Sequence, residues 1–162
     1  MSWVLLAACA PTGPIEVAIH PLGAEGEPLA EHHVLPIEFG AQGGFHVFVE
    51  LSLSNLVPGA SNLLEGLRLN NLPSARVTVQ GPDGLLNQPH DQSIVLGRSE
   101  EGWDSEPLLI VLQYYEDPPP GGFDRDSREL EIEGFVVEFL AEVSDSRGGQ
   151  GQASGRTSLD FP

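Results

Sequence analysis

The amino-acid sequence predicts an all-β chain folded as a single antiparallel β-sandwich. Three observations lead there. Phe45, Val47, Val49, Leu51 and Leu53 alternate with His46, Phe48, Glu50, Ser52 and Ser54, the period-two pattern of a strand with one buried face. No long stretch carries a sustained helical period. Finally, 19 Gly and 14 Pro punctuate the chain, dividing it into many short segments separated by turns.

The elements follow in order. Residues 15–19 and 34–39 are short candidate strands, and residues 45–53 form the long one. Residues 64–69 are a weaker strand candidate. Leu63, Leu64 and Leu67 have partial helical spacing, but Gly66 interrupts it and Pro58 and Pro73 bound it, which allows a single helical turn at best. Val77 and Val79 flank Thr78 in a strand closed by Gly81-Pro82-Asp83-Gly84, where Pro fixes φ and Gly supplies the positive φ of a turn. Residues 93–97 are another weak strand. The run Leu108-Leu109-Ile110-Val111-Leu112 is apolar throughout and predicts a strand covered on both faces. Trp103, within Glu100-Glu101-Gly102-Trp103-Asp104, falls in an acidic loop.

The last two strands are predicted over residues 130–143 and 156–161. In the first, Leu130 and Ile132 share one parity, whereas Phe135, Val137, Phe139, Ala141 and Val143 share the other. One extra residue at Glu133-Gly134 would keep both sets facing the core, so a β-bulge is expected there, with a chain reversal as the alternative. A glycine-rich loop over residues 144–152 then makes residues 135–161 a C-terminal hairpin.

Composition narrows the function. Hydrophobic residues make up 40% of 162, enough for one domain with a core. No apolar run reaches the roughly 20 residues of a membrane-spanning helix. Acidic residues number 24 against 7 basic ones, all Arg, for a formal charge of −17. That surface repels phosphate backbones and excludes nucleic-acid binding. The sequence lacks Gly-x-Ser-x-Gly, His-Glu-x-x-His, Cys-x-x-Cys and any phosphate-cradling loop, and with them the motif-borne enzyme classes. The expectation is a non-catalytic protein with no cofactor.

The N-terminus carries the most specific motif. Leu6-Ala7-Ala8-Cys9 ends an apolar run that starts at Trp3, and Cys9 is the only cysteine. This resembles the lipobox of bacterial lipoproteins. The resemblance implies that residues 1–8 are a signal remnant, completed by sequence upstream of Met1, and that Cys9 is lipidated as the mature N-terminus. Ala10-Pro11-Thr12-Gly13-Pro14 has the composition of a tether, so residues 9–14 form a lipidated tether and residues 15–162 the β-sandwich domain. The stretch Gln42-Gly43-Gly44-Phe45-His46 also resembles small predicted lipoproteins of GC-rich Gram-negative bacteria, a group that brings no activity with it. Many short strands with frequent turns resemble an immunoglobulin- or fibronectin-like sandwich in architecture, without its disulfide, since Cys9 has no intrachain partner.

Two metal-ligand patterns stand beside this. Imidazole is a zinc and copper ligand. If residues 34–39 paired with 45–50, His33 and His46 would approach each other, while His32, adjacent to His33, would point to the opposite face of a strand. Asp117, Asp124 and Asp126, with Glu129 and Glu131, surround the loop Pro118-Pro119-Pro120-Gly121-Gly122, and oxygen-rich loops suit calcium. Asp124-x-Asp126 begins like an EF-hand loop and departs from it at Ser127-Arg128; Arg125 and Arg128 are the natural surface partners of these carboxylates. The expected function is a lipid-anchored envelope protein, periplasmic or on the cell surface, with a binding or structural role. It would be held to the bilayer through acylated Cys9 and could present loops or an edge strand to an envelope protein. The alternatives are an exported divalent-metal-binding protein and a small hydrolase without a recognisable motif.

Overall fold

The computed structural model describes residues 13–24, 26–40, 44–112 and 134–162. Among them the chain is all-β apart from one short helix, and its strands form two sheets around one core. The expected residues 45–53 lie in the 11-residue strand β4 (Gly44–Ser54), with Phe45, Val47, Val49, Leu51 and Leu53 all buried. β4 is the spine of the first sheet. On one edge it pairs antiparallel with β1 (Glu16–Pro21) and β3 (Glu38–Gly40). On the other it pairs with β9 (Trp103–Ser105) and β10 (Leu108–Leu112), and β8 (Leu96–Arg98) lies outside β9. The ladder passes from β9 to β10 beside Leu51, whose N–H donates to Ser105 Oγ at 2.9 Å, so a buried donor is satisfied where strand pairing lapses.

The second sheet runs β2 (Val34–Pro36), β12 (Gln150–Asp160), β11 (Val136–Ser144), β5 (Ser74–Gly81), β6 (Gly84–Leu85), with β7 (Gln92–Ser93) also on β5. β11 and β12 form the expected C-terminal hairpin in continuous register from Val136↔Ser158 to Ser144↔Gln150. Its loop is shorter than predicted, because residues 150–152 belong to β12. Val137, Phe139, Ala141 and Val143 point inward, as their parity requires. The expected bulge falls partly outside the described residues. Gly134 itself has φ +74° and precedes the strand in a turn. The turn Gly81-Pro82-Asp83-Gly84 closes β5 onto β6 as read, with Gly84 at φ +146°.

Five expectations are corrected, the last of them the segment that carries the helix. Residues 34–39 are two strands in different sheets. β2 pairs parallel with β12, Ile37 N–H donates to Asp160 O at 2.7 Å, and β3 then pairs with β4. Residues 93–97 likewise split between β7 and β8. β10 is covered on one face only, since Leu109 and Val111 are exposed beside Phe48 and His46 of β4. Trp103 is a strand residue that packs partly buried against the core, with Arg98 over its ring at 5.9 Å; Gly102 before it lies so close to Leu53 O that no Cβ would fit.

Residues 64–69 are neither strand nor single turn but most of α1 (Leu63–Leu69). Asn62 caps it: Oδ1 accepts the Glu65 N–H at 2.9 Å, and Asn62 Nδ2 reaches Glu65 Oε2 at 3.2 Å. The first bond satisfies a free helix N–H as an N-cap does, and the second ties the two side chains together. Asn70, in the left-handed region at φ 50°, ends the helix, a conformation Asn tolerates. Gly66 is the buried helix residue and rests on the Leu72 side chain.

Candidate functional site

Two places concentrate chemistry among the described residues. The first is a histidine–carboxylate group on the segment between β1 and β2. Residues 31 and 32 lie in a turn, so the alternation assumed for His32 and His33 does not hold there. Their rings stack at 4.2 Å between centroids, tilted 42°. With Glu27 they place three ligand atoms within 4.8 Å of one another. His33 Nδ1 accepts the Ala30 N–H at 3.0 Å, and Nε2 lies 3.3 Å from Glu27 Oε2. The neutral ring therefore carries its proton on Nε2 and donates it to Glu27. His20 holds the other end of Glu27: its Nδ1 is 3.0 Å from the Glu27 carbonyl oxygen. His20 is buried, and its Nε2 has no hydrogen-bond partner among the described residues.

This arrangement differs from the usual metal-bound histidine, whose second nitrogen donates a proton outward. A metal at His33 Nε2 would need that lone pair, moving the proton to Nδ1 and breaking the Ala30 bond. The group as it stands is a latch: Thr157 Oγ1 and the Ser158 N–H both donate to the His33 carbonyl, at 2.7 and 3.3 Å. It fixes the loop to β12. The structure does not bring His33 and His46 into one group. His46, on the outer face of β4, sits 3.6 Å from Glu38 Oε2 and edge-on to Phe48. Cys9, Asp117, Asp124 and Asp126 lie outside the described residues.

The second place is one end of the molecule. Strand direction puts the entry of the chain there, because Glu16 pairs with Ser54 and the Ile15 N–H donates to Gln150 O at 3.0 Å. The segment carrying α1 and the β11–β12 loop meet at the same end through Asp145. Its Oδ2 accepts the Val57 N–H at 2.9 Å, and its Oδ1 accepts those of Arg147 and Gly149 at 2.9 and 2.8 Å. Partial burial pushes this carboxyl upward, but the three N–H donors and the Arg147 charge outweigh it and hold its pKa below the ordinary 3.8.

Because only Gly66 of α1 turns inward, the leucines turn outward. Leu63 is 47% exposed, Leu64 82%, Leu67 56% and Leu69 52%. At about 100° per residue Leu63, Leu67 and Leu64 fall side by side on one flank of the helix, an exposed apolar face of the kind that marks a contact site, and Leu69 falls on the other flank. Sequence reasoning missed it by reading residues 64–69 as a weak strand or at best a single helical turn. The capping pattern Asn62-x-x-Glu65 was the available signal.

An open groove beside this end is lined by Pro14, Ile15, Ser74, Glu142, Ser144 and Gln150. It also holds Arg76 and Asp91, which pair with each other through two hydrogen bonds of 3.0 and 3.1 Å. No family model matches the chain, and no curated protein matches it.

Proposed function

We propose that the protein is a lipid-anchored, non-catalytic envelope module, periplasmic or at the cell surface, built on an immunoglobulin- or fibronectin-like sandwich. Strand order supports the fold: β4, β9–β10 and β8 stand as the B, E and D strands of that architecture, and β5, β11 and β12 as C, F and G. The observation that carries the function is the motif Leu6-Ala7-Ala8-Cys9 placed six residues before Ile15, where the chain docks on Gln150. A fully extended chain spans at most about 3.6 Å per residue, so this link is about 20 Å at its longest. The anchor therefore keeps the domain close to the bilayer, and exposed loops and edges remain to meet an envelope partner.

Fractionation tests this. Exported behind an upstream signal in a Gram-negative host, the protein is expected in the membrane fraction after a high-salt wash, and Cys9→Ser in the soluble fraction. Equal distribution of the two would overturn the reading.

The Glu27–His32–His33 group favours a second reading, a zinc- or copper-binding exported protein, because these are the ligand types such ions take. It requires the ion to displace the Ala30 hydrogen bond. Zinc should then raise the melting temperature of the protein but not of His33→Ala; an equal response in both would dispose of this reading.

A further inference from the structure

We propose that α1 is a bilayer-contacting element, whose leucines Leu63, Leu64 and Leu67 rest in the interface of the membrane that holds the anchor. The inference rests on the lipid-anchor reading and adds an orientation to it. The helix and the chain entry share one end of the domain, tied through Asp145 and Gln150. On the anchor reading four residues, 9–12, separate the acylated terminus from Gly13, and Ile15 docks on Gln150 at that same end. A tether of about 20 Å at most turns that end toward the surface it is attached to.

Charge separates the bilayer from a second copy of the chain. Residues 55–73 contain one acid, Glu65, and one base, Arg68, in a molecule of formal charge −17. A second copy would bring two strongly acidic bodies together, which net charge opposes. A zwitterionic lipid surface carries no such penalty and accepts exposed leucines. The acidic loop holding Glu100 and Glu101 lies at the same end, between β8 and β9, and turns the preference away from anionic lipid. The helix geometry fits an interfacial role: Gly66 lets α1 lie flat on Leu72, so all its long side chains stay outside.

The test gives the anchor chemically. Cys9, the sole thiol, is coupled in the full chain to a maleimide phospholipid in phosphatidylcholine vesicles. A Leu64→Trp reporter is compared with Leu85→Trp, an exposed position at the opposite end of β5, and with the unaltered chain as background. With acyl-chain-brominated lipid, Leu64→Trp should lose about half its added emission and Leu85→Trp none, as expected for side chains at the acyl boundary. Amides of residues 63–69 in the unaltered anchored chain should exchange more slowly than in the lipid-free chain. Unquenched Leu64→Trp, or equal quenching of both reporters, overturns the proposal. So does a blue shift of Leu64→Trp in lipid-free buffer that grows with protein concentration, which would assign the face to a second copy. An unmodified Cys9 in native protein would instead remove the anchor reading and leave this measurement unaffected.

Discussion

Replacing Asp145 by Asn removes one charge and almost no volume from the junction between the β11–β12 loop and the segment leading to α1. In the native protein its two oxygens accept three backbone N–H bonds of 2.8–2.9 Å. Asn keeps one acceptor oxygen and turns an NH2 group toward at least one donor. Bonds to a charged acceptor are worth about 1.5–3 kcal/mol each, and less where solvent can substitute. Asp145 is half-buried, so a total loss of about 2–3 kcal/mol is expected, not the full sum. For a chain of this size that lowers the melting temperature by about 5–10 °C. The effect has a pH signature. A carboxyl whose folded pKa lies below its unfolded value stabilises fully above the ordinary 3.8 and loses that stabilisation as pH falls through the lowered folded value. Urea unfolding of both proteins from neutral pH downward should show a constant gap above pH 5 that narrows below about pH 4. A neutral-pH gap under about 0.5 kcal/mol would refute the assignment of Asp145 as the junction. So would a gap that widens in acid.

Three further outcomes follow from the same contacts. Asn87→Ala should cost about 2–4 kcal/mol in urea unfolding, because the buried Asn87 amide accepts the Val79 N–H at 2.8 Å and donates to Val77 O at 2.7 Å, leaving both β5 groups unpaired. Gly66→Ala should destabilise by about 1–3 kcal/mol despite the better helix propensity of Ala, since its Cβ collides with the Leu72 side chain; Leu72→Ala in the same chain should recover part of the loss, and full tolerance of Gly66→Ala alone would show that α1 is not seated on Leu72. Millimolar calcium should raise the melting temperature no more than sodium chloride of matched ionic strength, because the residues around Asp124 and Asp126 lack the ligand spacing of a dedicated loop. A calcium-specific increase abolished by Asp124→Asn with Asp126→Asn would contradict that.

What the sequence revealed depended on whether burial followed a period. β4 and β11 alternate strictly, and so do their exposures; both were legible residue by residue. The run at residues 108–112 was legible as a strand but not in its coverage, because a continuous apolar stretch does not encode which face meets solvent. The division of residues 34–39 at Ile37 is a tertiary choice: Val34–Pro36 finds the edge of β12 and Glu38–Gly40 that of β4. α1 was hidden for the opposite reason. Its leucines face outward, so hydrophobicity reported a surface and not a core, while its polar caps Asn62 and Asn70 held the true signal. The histidine group was misplaced because His32 and His33 were read with strand alternation and occupy a turn instead.

The central claim is the anchor. Intact-mass and peptide mass spectrometry of the protein, isolated from membranes of a host that exports it behind an upstream signal, measures it most directly. The account predicts that the N-terminal residue is Cys9, carrying a thioether-linked diacylglyceryl group, and that residues 1–8 are absent. A chain that retains residues 1–8 with Cys9 as a free thiol would contradict it.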